Sequence, residues 1–184
     1  MDIFAPTKKQ VSHKLELYTQ HLIVSGTVKT PFKRISDVLN KGDSQFLKVE
    51  DALITPFGKP PTQKPVEGPA MVSLDHLHFV VEALGKKPAA QAQQADRTGD
   101  DLEARLAHVH KDHYPCFAIT GTYAIYGYCY LQPGKTLDSL LRGSDTYVPI
   151  TRATLYLVAD TETSWNRELV VINRKMINAM YLTP

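Results

Sequence analysis

Apolar and polar residues alternate in short stretches along most of this chain, and a period of two marks half-buried β-strands. In the first half, Lys14 to Thr19 places Leu15 and Leu17 on one face, and Leu22 to Thr30 predicts a second strand with Gly26 in its middle. Glycine inside a strand signals a bulge, a sharp bend or a close backbone approach. Pro31 ends that strand, because proline cannot donate to a ladder. Ser36 to Asn40 predicts a helical turn, capped by Ser36, with Asp37 in its first turn and Gly42 at its end. Phe46, Leu47, Val49, Leu53 and Ile54 predict a further strand pair bent at Glu50 and Asp51, and Met71 to Val81 predicts two short strands broken at Asp75 and His76. Residues 1–13 read as a polar arm, and residues 55–70, with five of the twelve prolines, read as a long stiffened loop.

The second half repeats this scheme. Strands are predicted over Phe117–Thr120, Tyr123–Leu131, Tyr147–Val158, Glu168–Asn173 and Met176–Tyr181, with a helical turn at Thr136–Arg142 and a turn at Thr161–Ser164. Shifted by 101 residues without gaps, Gly26 to Ile54 aligns with Gly127 to Leu155. Five pairs are identical: Gly26/Gly127, Asp37/Asp138, Leu39/Leu140, Gly42/Gly143 and Ala52/Ala153. Lys41/Arg142, Phe46/Tyr147, Leu47/Val148, Val49/Ile150 and Ile54/Leu155 are conservative. A repeat at this period predicts two copies of one small domain rather than a solenoid. The lobes fall at 14–84 and 113–184, joined by a polar linker at 85–112 in which Leu102, Leu106 and Val109 predict a short helix over Asp101–His110.

Composition narrows the function. Hydrophobic residues form 43% and charged residues 22% of the chain, as in an ordinary globular protein. The net charge is +2, and basic and acidic residues balance along the chain, with 10 and 9 in 1–84, 5 and 5 in 85–112, and 6 and 5 in 113–184. That spread lowers the expectation of a strongly electrostatic nucleic-acid binder. Two cysteines, Cys116 and Cys129, write no disulfide framework. No apolar stretch reaches the length of a signal-peptide core or a membrane span, so a cytoplasmic setting without membrane contact is expected.

The string Arg34-Ile35-Ser36-Asp37-Val38-Leu39-Asn40, followed by Phe46-Leu47-x-Val49-x-Asp51-Ala52, resembles a bacterial domain family of unknown function. More distantly, a glycine in the second strand, then Asp and Asn, then a Leu…Asp-Ala run resembles the first motif of Sm-like barrels. About five short strands and one helical turn per lobe, with Gly26 and Gly127 as corner glycines, predict an all-β fold, mainly β with short helical turns, built as two tandem SH3- or Sm-like barrels, in agreement with the Sm-like resemblance. That resemblance also implies RNA contact near Asp37 and Asn40, although the second copy carries Leu137 and Leu141 where the first has Ser36 and Asn40.

Several residues are candidates for chemistry. Lys33, Arg34, Asp37 and Asn40 form a candidate ligand loop, against the plainer reading that Asp37 serves its helical turn. Tyr126, Tyr128 and Tyr130 share a strand face, where aromatic side chains stack bases or cover half-buried sheet. His108, His110, His113 and Cys116 are zinc- or copper-ligand types, but their spacing fits no standard site and a solvated helix end is favoured. His76 and His78 lie two apart on a strand, too few for a metal. Trp165, beside a turn, is read as exposed and as a partner contact. No nucleophile elbow, P-loop or dinucleotide fingerprint occurs. The expectation is a non-catalytic binding or assembly module without cofactor, its partner another protein or itself. The alternatives are RNA binding through an Sm-like surface and metal-dependent activity at the His108–Cys116 cluster.

Overall fold

The computed structural model describes residues 10–56, 65–83 and 112–183. The first half contributes β1 (Val11–Tyr18), β2 (Leu22–Thr30), helix α1 (Ile35–Lys41), β3 (Phe46–Pro56), β4 (Ala70–Ser73), a 3-10 turn (Leu74–His76) and β5 (Phe79–Glu82). The second contributes β6 (Asp112–Ile119), β7 (Tyr123–Leu131), helix α2 (Leu137–Leu141), β8 (Tyr147–Leu157), β9 (Asp160–Asn173), a 3-10 turn (Arg174–Met176) and β10 (Ala179–Leu182). The bounds of β2 and β7, and of β3 and β8, lie 101 residues apart at both ends.

The mainly β expectation holds, but two separately closed barrels are not what the strands form. All ten belong to one open antiparallel sheet in the order β10-β6-β7-β8-β9-β5-β1-β2-β3-β4. The reason lies in β5. Its first edge pairs with β1, and its second pairs with β9 of the other half through Phe79↔Ile172, Val80↔Val171 and Val81↔Val170. The ladder that would close the first half on its own β4 is therefore taken by the second half.

Alternation along these two strands builds two cores at once. Val80 and Val171 face a core formed around Leu15, Leu17, Val28, Val49 and Leu77. Phe79, Val81, Val170 and Ile172 face the other, around Cys116, Tyr123, Ile125, Ile150 and Leu155. All six seam residues are 0% exposed. Each fully buried Val, Ile or Phe contributes about 1.5–3 kcal/mol, so the seam is a major store of stability.

Gly26 and Gly127 sit at equivalent β-bulges, where the register of β2 on β3 and of β7 on β8 shifts. A Cβ on Gly127 would lie 2.6 Å from Ile150 Cγ2, 2.8 Å from the Thr151 carbonyl and 3.2 Å from Ala153 Cα, and Gly26 meets Val49, Glu50 and Ala52 the same way. The bulge puts Asp51 and Arg152 at φ of 51° and 49°. The identity of the Gly26/Gly127 and Ala52/Ala153 pairs thus has one cause, the close approach of two backbones.

Other expectations shift in detail. β1 begins at Val11 and buries His13, so the polar arm is shorter than 1–13. α1 starts at Ile35 with Arg34 in the cap position and no side-chain cap bond, whereas Thr136 and Ser139 form a reciprocal capping box on α2. β9 starts at Asp160, and the turn expected at Thr161–Ser164 is a bulge within it, where pairing with β8 steps from Asp160 on Leu157 to Ser164 on Tyr156. The helix expected at Asp101–His110 and the centre of the proline-rich loop lie outside the described residues.

Gly127→Ala is expected to lower the free energy of unfolding by about 1–3 kcal/mol through overpacking. Gly121→Ala, whose nearest neighbour would be 4.0 Å away, is expected to stay within about 0.5 kcal/mol of the parent. Urea denaturation of the two variants measures the difference.

Candidate functional site

Beside the seam between the halves lies a cleft of about 560 Å³, whose charged and polar lining is Glu16, Glu82, Arg152, Asn166, Arg167 and Glu168. Strand alternation explains why these charges converge. In β1, Leu15 and Leu17 turn to the first core, so Glu16 lies on the other face with Tyr18, and in β9 Arg167 sits opposite Ala153 of β8. Glu16 Oε2 accepts from the Tyr18 hydroxyl at 2.9 Å and from Arg167 Nη2 at 3.0 Å, an ion pair that bridges the halves. Burial and the Glu16 carboxylate hold the Tyr18 hydroxyl well above the ordinary tyrosine range, so it serves as a donor at neutral pH. His13 Nε2–H donates to the Phe32 carbonyl at 3.0 Å, and its Nδ1 lies 2.9 Å from Glu82 Oε1.

Arg152 links the cleft to the tyrosine row. Its left-handed backbone at the bulge carries the guanidinium over the Tyr128 ring, 5.9 Å from the centroid. Beside it, His113 lies edge-on to Tyr128 at 5.6 Å and near Tyr130 at 6.5 Å. Tyr126 and Tyr130 are exposed, and Tyr128 is half-buried. Tyr130 Oη is 3.0 Å from Thr151 Oγ1. The row faces solvent on the outer side of β7 and does not cover the seam.

The residues of the candidate ligand loop part company. Lys33 and Arg34 are exposed ahead of α1. Asp37 Oδ1 pairs with Lys41 Nζ at 3.0 Å, and its counterpart Asp138 pairs with Arg142 Nε at 2.7 Å, both one helical turn apart. Asn40 turns to the other half: its Nδ2 donates to the Tyr147 carbonyl at 2.9 Å, and the Tyr147 N–H donates to its Oδ1 at 2.8 Å. This side-chain amide mimics a strand edge and joins α1 to β8.

His108 and His110 lie outside the described residues. His113 and Cys116 occupy opposite faces of β6: His113 is exposed, while Cys116 is buried beside Cys129. Contact with the Cys129 sulfur and burial push the Cys116 thiol up, which opposes the thiolate that metals bind. Among the described residues no group of three or more metal-ligand side chains assembles. Trp165 is half-buried rather than exposed, its ring near-parallel to Tyr18 at 6.4 Å and edge-on to Tyr123 at 6.4 Å, because its pairing with buried Leu155 lays it against the second core. His78 is buried, and burial, with His21 nearby, holds its imidazole below the usual histidine range.

Sequence reasoning missed Glu16, Arg152 and Arg167. Alternation sets Glu16 on the face of β1 opposite Leu15 and Leu17, but no local signal joins it to a residue 151 positions away. Compared with protein-family models, curated proteins and solved structures, the chain gives no match. No helix among the described residues is long and apolar enough to cross a membrane.

Asn40→Ala leaves the N–H of Tyr147, a residue 2% exposed, without its partner. A buried donor so orphaned costs about 1–3 kcal/mol. The same loss is expected for Asn40→Leu, which installs the residue found at the equivalent position of the second half. Denaturant midpoints of the two variants test this, and a change below about 0.5 kcal/mol would assign Asn40 to another task.

Proposed function

We propose that this chain is a non-catalytic binding and assembly module made of two copies of one small, SH3- or Sm-like unit. The observation that carries this reading is the β5–β9 ladder, which joins two five-stranded halves edge to edge into one platform. Each half has the same internal order, fifth strand next to first, then second, third and fourth. The polar groups support the same reading, because they are engaged with structure and with one another. Glu16 holds Arg167 and Tyr18, Asn40 holds the Tyr147 backbone, and Asp37 and Asp138 hold their own helices.

Nucleic-acid binding is the second reading, and one observation favours it. Tyr126, Tyr128 and Tyr130 with His113 and Arg152 make an outward strip of aromatic and basic groups. Aromatic side chains stack exposed bases without sequence preference, each stack being worth about 1–3 kcal/mol. Lys33 and Arg34 stand ahead of α1 as further phosphate contacts.

Fluorescence anisotropy with labelled single-stranded RNA and DNA, across a salt series, separates the two. The assembly reading expects no saturable binding at low salt. Saturable binding that weakens with salt, and that falls about tenfold or more on Tyr126→Ala or on joint Lys33→Ala and Arg34→Ala, would instead establish the nucleic-acid reading.

A further inference from the structure

We infer that the two free edges of the sheet, β4 and β10, bind each other between molecules, so that copies of this chain join head to tail through a repeat of their own β5–β9 seam. The inference rests on the assembly reading and names its partner as a second copy.

The internal seam supplies the template. β10 stands to β6 as β5 stands to β1: Ala179, Met180 and Tyr181 pair with Ile119, Ala118 and Phe117, at the places where Phe79, Val80 and Val81 pair with Tyr18, Leu17 and Glu16. Likewise β4 stands to β3 as the end of β9 stands to β8: Val72, Met71 and Ala70 pair with Leu47, Lys48 and Val49, at the places of Ile172, Val171 and Val170 on Val148, Pro149 and Ile150. Transferring the seam register therefore sets Ala179 against Val72, Met180 against Met71 and Tyr181 against Ala70 of the next molecule. β4 is short, but its Ala70–Ser73 covers the whole three-pair ladder.

The side chains at these edges suit a partner rather than water. Met71 is 59% exposed and Tyr181 51%, whereas their seam counterparts Val171 and Val81 are 0% exposed. Free edges are commonly protected by shortness, charge, proline or a bulge, and of these β4 and β10 have shortness, at four residues each. Neither Ala70-Met71-Val72-Ser73 nor Ala179-Met180-Tyr181-Leu182 carries a charge or a proline. Among the described residues neither strand has a second sheet neighbour.

The helix contact transfers as well, with a change of chemistry. At the seam, Asn40 of α1 grips Tyr147 of β8. The equivalents are Leu141, at the end of α2, and Phe46, at the start of β3, which is 47% exposed. The pairing between molecules replaces a polar clamp with an apolar one. Because the two edges differ, the contact is heterologous and propagates until the molecules close a ring or extend a filament.

Light scattering on size-exclusion chromatography, with native mass spectrometry of the full chain at tens of micromolar, tests this. The parent is expected to run as an oligomer. Met71→Glu and Tyr181→Lys, both at exposed positions, are each expected to give the single-chain mass with an unchanged far-ultraviolet spectrum. Combining Met71→Glu with Met180→Lys is expected to restore the oligomer, because the two positions face each other across the contact. A monomeric parent would overturn the inference, as would an oligomer unmoved by both single changes. Either result leaves the anisotropy measurement to decide separately whether the module binds nucleic acid.

Discussion

The ladder between β5 and β9 is the constraint on which the rest of the molecule depends. Three residue pairs connect two halves whose other strands belong to different parts of the chain. Each strand sends alternate side chains to both cores, with Val80 and Val171 to one and Phe79, Val81, Val170 and Ile172 to the other. Neither core is complete without residues from the opposite half: Tyr147 and Val171 complete the first, and Tyr18, Phe79 and Val81 complete the second. A half of roughly 70 residues buries little apolar surface alone, and sharing a core offsets that deficit.

Polar groups reinforce the seam from both faces. On one side, Asn40 supplies a donor and an acceptor to the Tyr147 backbone as a neighbouring strand would. On the other, Arg167 reaches Glu16 beside the cleft. The Tyr147 hydroxyl, its ionisation pushed up by burial and by Asp75, donates to the Leu74 carbonyl at 2.6 Å. At the outer edges Leu141 and Phe46 stand in place of Asn40 and Tyr147, and the Phe46 backbone bonds to its own neighbour, the Ser44 hydroxyl, rather than to the other half. The same place in the two halves thus holds a fixed internal contact once and an exposed apolar side chain, Phe46, once.

Local features were legible in the chain, and distant pairings were not. Period-two alternation located the strands, and the 101-residue offset located equivalent elements, because both depend on neighbours in sequence. The glycines marked the bulges because a Cβ cannot fit there. Which edge would take β5 could not be read, since alternation fixes the faces of a strand and not its neighbour. The same limit applies to the site. Asn40 stood out through its surroundings as a ligand residue, whereas its partner lies 107 residues away. Trp165 was read as exposed from the turn beside it, which is a bulge inside β9, whereas its pairing with Leu155 turns it to the second core. Glu16 and Arg167 carry no local signature of their meeting, so the seam cleft had no trace in the sequence.

Native-state hydrogen exchange on the backbone amides of β5 and β9 tests the central claim most directly. If the seam holds one cooperative unit, these amides exchange only through global unfolding, with the same free energy and denaturant dependence as the amides of β2 and β7. If they instead exchange through a cheaper opening while β2 and β7 stay protected, the halves are independent units that touch, and the seam is not what holds the sheet together.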